Sequence, residues 1–163
     1  MYGKQTENAI AAMSRLAEVW DGGVTRLSAA DIADARGLPR PMVAKLLTAL
    51  SGADLVSGSP GPGGGYALSR EPMEICLYDV YRIFEREDQS TNCPFGGGVC
   101  GVGRPCAIHD KLVDMQANIQ MLLRTTSFEV FRHAHQDEGL EPVAKGVEPP
   151  PHRESFRAAK ARK

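Results

Sequence analysis

Apolar residues Ile10, Met13, Leu16, Ala17 and Trp20 recur at three- and four-residue steps, which predicts a helix over 6–20. Asp21-Gly22-Gly23 ends it. Ser28 followed three residues later by Asp31 has the form of a helix cap, so a short helix is predicted over 29–36, stopping at Gly37. Leu38-Pro39-Arg40-Pro41 opens a third helix, because proline fits a first turn and not a later one. Met42, Val43, Leu46, Leu47 and Leu50 give that helix a buried stripe, and Gly52 closes it. Two short strands, Leu55-Val56 and Tyr66-Ala67-Leu68, flank a run from Ser57 to Gly65 built only of serine, glycine and proline, which is turn chemistry. The order of helix, short helix, turn, helix and hairpin predicts a winged helix-turn-helix. The fold class is mainly α with a small β-hairpin wing.

Beyond the hairpin the pattern changes. Leu77, Val80, Tyr81 and Phe84 share a helical face in an amphipathic segment over 75–84, and Cys76 is expected there as a small buried hydrophobe. Residues 88–106 are polar and glycine-rich and hold three cysteines. Then Ile108, Leu112, Met115, Ile119 and Leu122 repeat in steps of four, three, four and three, a heptad seam suited to pairing with a second helix. Phe128, Val130 and Phe131 predict a last short helix. From Gly139 the chain turns proline-rich and basic and is expected to be disordered. The predicted organisation is a DNA-binding unit over 1–72, a cysteine loop with a dimerisation helix over 73–138, and a tail over 139–163.

Composition narrows the options. The chain has 163 residues, 42% of them apolar and 24% charged, with a formal net charge of −1. That suits a soluble globular protein, and a DNA-binding face must come from local segregation of charge. No apolar run is long enough for a membrane and the first residues lack a secretory signal, so a cytoplasmic location is expected. In a reducing compartment, clustered cysteines read as metal ligands or redox groups rather than disulfides. There is no organised nucleophile–base pair and no phosphate-binding fingerprint, so an enzyme is not expected.

A helix-turn-helix presents residues near the start of its second helix to base edges in the major groove of double-stranded DNA. Here those are Arg40, Met42 and Lys45, on the side opposite the leucine stripe. Arg40 is suited to a guanine edge or a phosphate, and Lys45 to phosphate. Ser57 and Ser59 in the wing are placed to meet the DNA backbone or the minor groove.

Cys93, Cys100 and Cys106 stand as C-x6-C-x5-C, with His109 three residues after the last. Thiolates suit iron–sulfur clusters and zinc, and a histidine can replace a cysteine on iron. The wide spacing and the many glycines favour a cluster, since zinc sites more often bring cysteines as close pairs. His109 also stands where a solvated histidine at the start of a helix would be ordinary.

Taken together, Asp31-Ile32-Ala33, Leu55-Val56-Ser57, Gly61-Pro62-Gly63-Gly64-Gly65-Tyr66 and the three-cysteine loop before a long helix resemble the iron–sulfur regulators of the IscR/NsrR type over residues 5–135. The resemblance implies a homodimer paired through the long helix and reading a near-palindromic promoter site. It also implies an iron–sulfur cluster on Cys93, Cys100 and Cys106 that biases the two reading heads. The fourth ligand divides the family. His109 matches the members with a two-iron, two-sulfide cluster, which is favoured; Glu7 matches those with a four-iron cluster, in which the partner's first helix supplies a carboxylate. Glu7 also reads as a solvated acid in a first helical turn. Ala11 departs from a third arrangement that pairs a glutamate with a histidine. Pro60 stands where relatives often carry an arginine that enters the minor groove, and the first cysteine spacing is one residue longer than in many of them. The rival reading is a zinc-stabilised winged-helix DNA binder without a sensing cluster.

Overall fold

In a computed structural model of the chain, the structure describes residues 3–85 and 106–138. Cys93, Cys100, the glycine-rich stretch around them and the tail from Gly139 lie outside the described residues.

The first three helices are α1 (Lys4–Glu18), α2 (Ala29–Arg36) and α3 (Arg40–Gly52). The caps expected from sequence set the boundaries of α2. The Ser28 side chain accepts from the Asp31 amide at 3.1 Å, and Asp31 accepts from the Ser28 amide at 2.9 Å. That hydrogen bonding from Ser28 holds the Asp31 carboxyl below its ordinary value. Gly37, at φ 63°, closes α2 in the left-handed region where glycine carries no Cβ penalty.

The wing is the antiparallel pair β1 (Val56–Ser59) and β2 (Gly65–Leu68), in register Val56↔Leu68. Leu27 adds a one-residue third edge, exchanging backbone hydrogen bonds with Tyr66 at 3.0 and 2.8 Å. Only glycine fits opposite this edge: Gly65 sits at φ 138°, and a Cβ there would lie 2.8 Å from the Leu27 carbonyl oxygen.

A short 3-10 turn, Pro72–Glu74, leads into α4 (Leu77–Phe84), followed by α5 (His109–Thr125) and α6 (Glu129–Glu138). Backbone bonds from Leu77 to the Thr126 carbonyl (3.0 Å) and from Phe128 to the Ile75 carbonyl (2.9 Å) stitch the start of α4 to the α5–α6 link. α6 folds back on α1 and α5 packs on α4. One core joins Met13, Leu16, Ile32, Leu47 and Leu50 to Ile75, Val80, Leu123 and Phe128, so packing is continuous across the wing.

Two expectations are corrected. Cys76 is not inside the amphipathic helix but caps it, half-buried. Its amide and its thiol both donate to Asp79 Oδ2, at 2.9 and 3.2 Å. Burial first, and then the hydrogen bond to Asp79, push the Cys76 thiol up, so the protonated form is favoured. Helix α1 stops at Glu18 rather than Trp20, where the backbone has already turned toward Gly22 and Gly23.

Candidate DNA-reading face and cluster-ligand residues

Helix α3, the second of the helix-turn-helix, buries Val43, Leu46, Leu47 and Leu50 and exposes Arg40, Pro41, Ala44, Lys45 and Thr48. Arg40 and Lys45 therefore stand on the outer face, as their spacing suggested. Met42 does not. It is half-buried, packs against the core, and receives the Asn8 side-chain amide on its sulfur at 3.2 Å. Met42 thus lies with the apolar stripe rather than on the side opposite it.

Arg40 is held across the helix-turn-helix by Asp34, with Nη2 at 2.7 Å and Nε at 3.4 Å from the carboxylate oxygens. The hydrogen bond to Asp34 raises the Arg40 value further, so the guanidinium stays charged. Both side chains are more than half exposed, at 64% and 54%. Solvent screens such a pair, and a phosphate or guanine edge competes readily for the arginine.

In the wing, Ser59 is exposed and Ser57 is half-buried. Ser57 is engaged by a residue that the sequence reading missed: Arg26 donates through Nη1 to the Ser57 carbonyl at 3.1 Å. No local pattern marks Arg26, because its role depends on Leu27 joining a sheet formed forty residues later.

The ligand candidates divide by position. Cys106 is half-buried just before α5, and the His109 amide donates to its carbonyl at 3.0 Å, so the two residues share the turn that opens the helix. Glu7 belongs to a different element, exposed on the first turn of α1, in an ion pair with Lys4 at 3.0 Å. Among the described residues no three metal-binding side chains come together.

The heptad seam of α5 is split between an exposed row and half-buried positions. Ile108, Met115 and Leu122, seven residues apart, are exposed by 38%, 46% and 54%, whereas Leu112 and Ile119 are half-buried and Leu123 is fully buried. An open groove along α5 is lined by Met115, Ile119 and Leu122 together with Lys111, Asp114 and Asn118.

A winged head of this topology, followed by a long helix with an outward apolar row, has counterparts among known proteins. A family model described as Rrf2, iron-dependent transcriptional regulator, matches residues 2–133. The chain belongs to the Rrf2 family. It is 29% identical over 117 residues to a putative HTH-type transcriptional regulator of Aquifex aeolicus, a match covering 71% of this chain and 81% of that protein. It is 32% identical over 94 residues to the transcriptional regulator IscR of Aliivibrio salmonicida, covering 58% of this chain and 55% of IscR. The chain thus spans about half the length of that IscR relative.

Among solved structures, CymR, the global cysteine regulator of B. subtilis, superposes with a TM-score of 0.65 at 22% identity, over 82% of this chain and 96% of CymR. IscR of T. potens superposes at 0.63 and 22% identity, over 85% and 90% of the two chains. These likenesses fix the fold as the winged-helix arrangement of Rrf2 proteins. Rrf2 proteins are DNA-binding transcription regulators, not enzymes. No described helix is long and apolar enough to cross a membrane.

Proposed function

We infer that this Rrf2 regulator is a cytoplasmic homodimer that carries an iron–sulfur cluster and reads a near-palindromic promoter site according to the state of that cluster. The observation that carries this reading is the joint placement of Cys106 and His109 at the foot of α5, beside an outward apolar row that a second copy would cover. The 32% identity to IscR supports the same cofactor class.

The donor chemistry fits such a cluster. Cys93, Cys100 and Cys106 supply soft thiolates, and His109 supplies an imidazole. His109 is favoured as fourth ligand because it shares a helical turn with Cys106, which points to a two-iron, two-sulfide cluster. Glu7 of the partner subunit is the rival, with a four-iron cluster. When bound, the cluster supplies a group whose assembly, loss or oxidation changes the charge and packing of the loop that holds it. The chain's own residues do the rest. Cys106 and His109 tie that loop to α5, α5 packs on α4, and α4 shares the core with α1 and α3. A change at the loop then biases how two rigid heads stand to one another. Each head presents Arg40 and Lys45 to the major groove, with the wing against the flanking backbone.

The close spacing of Cys106 and His109 also favours the second reading, a structural zinc site in a regulator without a sensing cluster. DNA affinity separates the two. A duplex selected from a random pool by the purified dimer is titrated before and after removal of the metal and sulfide. The cluster reading expects affinity to change by on the order of tenfold. Equal affinity in the two states contradicts it.

A further inference from the structure

The wing has the form to lie along a DNA backbone but lacks the charge. From Leu55 to Ser69 the sequence contains no lysine, arginine, aspartate or glutamate. A hairpin that meets phosphates without a cation forgoes the counterion release that dominates DNA affinity.

A cation reaches the hairpin from elsewhere. Arg26 lies in the strap between α1 and α2, half-buried at the foot of the wing. Its Nη1 sits 3.1 Å from the Ser57 carbonyl oxygen, 3.4 Å from the Ser57 hydroxyl and 3.5 Å from the Gly65 carbonyl oxygen. Ser57 belongs to β1 and Gly65 to β2, so one nitrogen spans both strands. The strap is fixed separately by the two backbone bonds between Leu27 and Tyr66, which hold the Arg26 backbone beside the sheet. A guanidinium holds five N–H donors in one plane, and Nη1 carries two of them. Nε and Nη2 carry the other three, on the fork edge that matches phosphate oxygens.

We propose that Arg26 is the phosphate-binding residue of the wing, bringing to the hairpin the positive charge its own sequence lacks. The proposal rests on the DNA-reading function inferred above. Holding both strands through Nη1 also sets where the guanidinium stands, so its charge arrives at a fixed height on the wing.

A residue that only braced the hairpin would weaken DNA binding too, and salt dependence separates the two roles. The full-length dimer, as wild type, R26Q and R26K, is titrated with a short duplex selected from a random pool by the wild type, at several salt concentrations. R26Q is expected to bind roughly tenfold more weakly at low salt. Its plot of log affinity against log salt should be shallower by about one, while R26K keeps the wild-type slope. A wild-type slope for R26Q, or an equally shallow slope for R26K, overturns the proposal.

If R26Q does not melt as the wild type does, single phosphates are replaced by neutral methylphosphonates and tested with wild type and R26K. One phosphate flanking the major-groove contacts should then matter more to the wild type than to R26K, and equal losses at every phosphate overturn the proposal. A wild type that enriches no duplex defeats the DNA-reading function itself. A wild type that binds with a slope unchanged in R26Q defeats this proposal alone.

Discussion

The reading head and the α5 segment are built to different degrees of completeness within one chain. In the head, α1, α2, α3 and the wing bury their apolar faces against one another, and their polar groups are paired locally: Ser28 with Asp31, Arg40 with Asp34, and Arg36 with Glu18 and the Ala11 carbonyl. The α5 segment leaves Ile108, Met115, Met121 and Leu122 exposed, and Cys106 and His109 share the turn that opens it. In the proposed function a second copy covers the exposed apolar row and a cluster takes Cys106 and His109. That reading puts sensing and assembly on α5 and DNA recognition on the head, with α4 packed between them.

The sharpest break of this comparison comes from the cysteines. Cys93→Ala, Cys100→Ala or Cys106→Ala should each abolish the visible absorbance of the anaerobically purified protein. Melting of the head should be unchanged, because Cys106 is outside the core. A variant with a full spectrum removes that residue from the ligand set.

Next come paired substitutions in the two regions. Leu47→Ala, in the fully buried core, should cost about 2–5 kcal/mol in denaturant unfolding. Met115→Asp with Leu122→Asp, on the exposed row, should cost the head little yet convert the dimer to monomer in sedimentation. A dimer that survives the double substitution places the subunit contact elsewhere.

Arg40→Ala tests the head directly. It should weaken binding to the selected duplex roughly tenfold, with the fold and the spectrum kept. Unchanged affinity at several salt concentrations takes Arg40 off the reading face.

The smallest effect belongs to the α2 cap. Ser28→Ala should lower stability by about 1 kcal/mol near neutral pH. The Asp31 carboxyl is depressed by Ser28, so its contribution is full above the unfolded value of about 3.9 and is lost as pH falls through the lower folded value. Unfolding curves of wild type and S28A should therefore draw closer in acid, with the bond from the Asp31 amide to the Ser28 hydroxyl remaining; a constant difference across that window would exclude the Ser28–Asp31 carboxylate bond as a contributor.

What could be read from sequence follows the range of the forces involved. α2 was legible to the residue, and α3 to within its first turn, because Ser28, Asp31, Gly37 and Pro41 act within a single turn. The amphipathic face of α1 was legible because burial imposes a helical period, whereas the α5 seam has Ile108, Met115 and Leu122 exposed and the buried Leu123 was not in it. The third edge of the wing was not, since Leu27 pairs with Tyr66 only after the chain has folded back. For the same reason Arg26 was missed and Met42 was claimed by two faces until Asn8 in α1 was seen against it. Cys76 was misplaced because a capping cysteine has the same apolar neighbours, Ile75 and Leu77, as a buried one. At the candidate cluster site, spacing and residue type named Cys93, Cys100, Cys106 and His109. The choice between His109 and Glu7 depends on how two chains meet, which no spacing within one chain encodes.

The proposed function requires two copies of this chain to pair and each to carry an iron–sulfur cluster. Native mass measurement of the anaerobically purified protein, with its absorbance spectrum, tests this most directly. The account predicts a coloured dimer whose excess mass equals one two-iron, two-sulfide cluster per chain. A colourless dimer carrying zinc, even after anaerobic incubation with iron and sulfide, would contradict it.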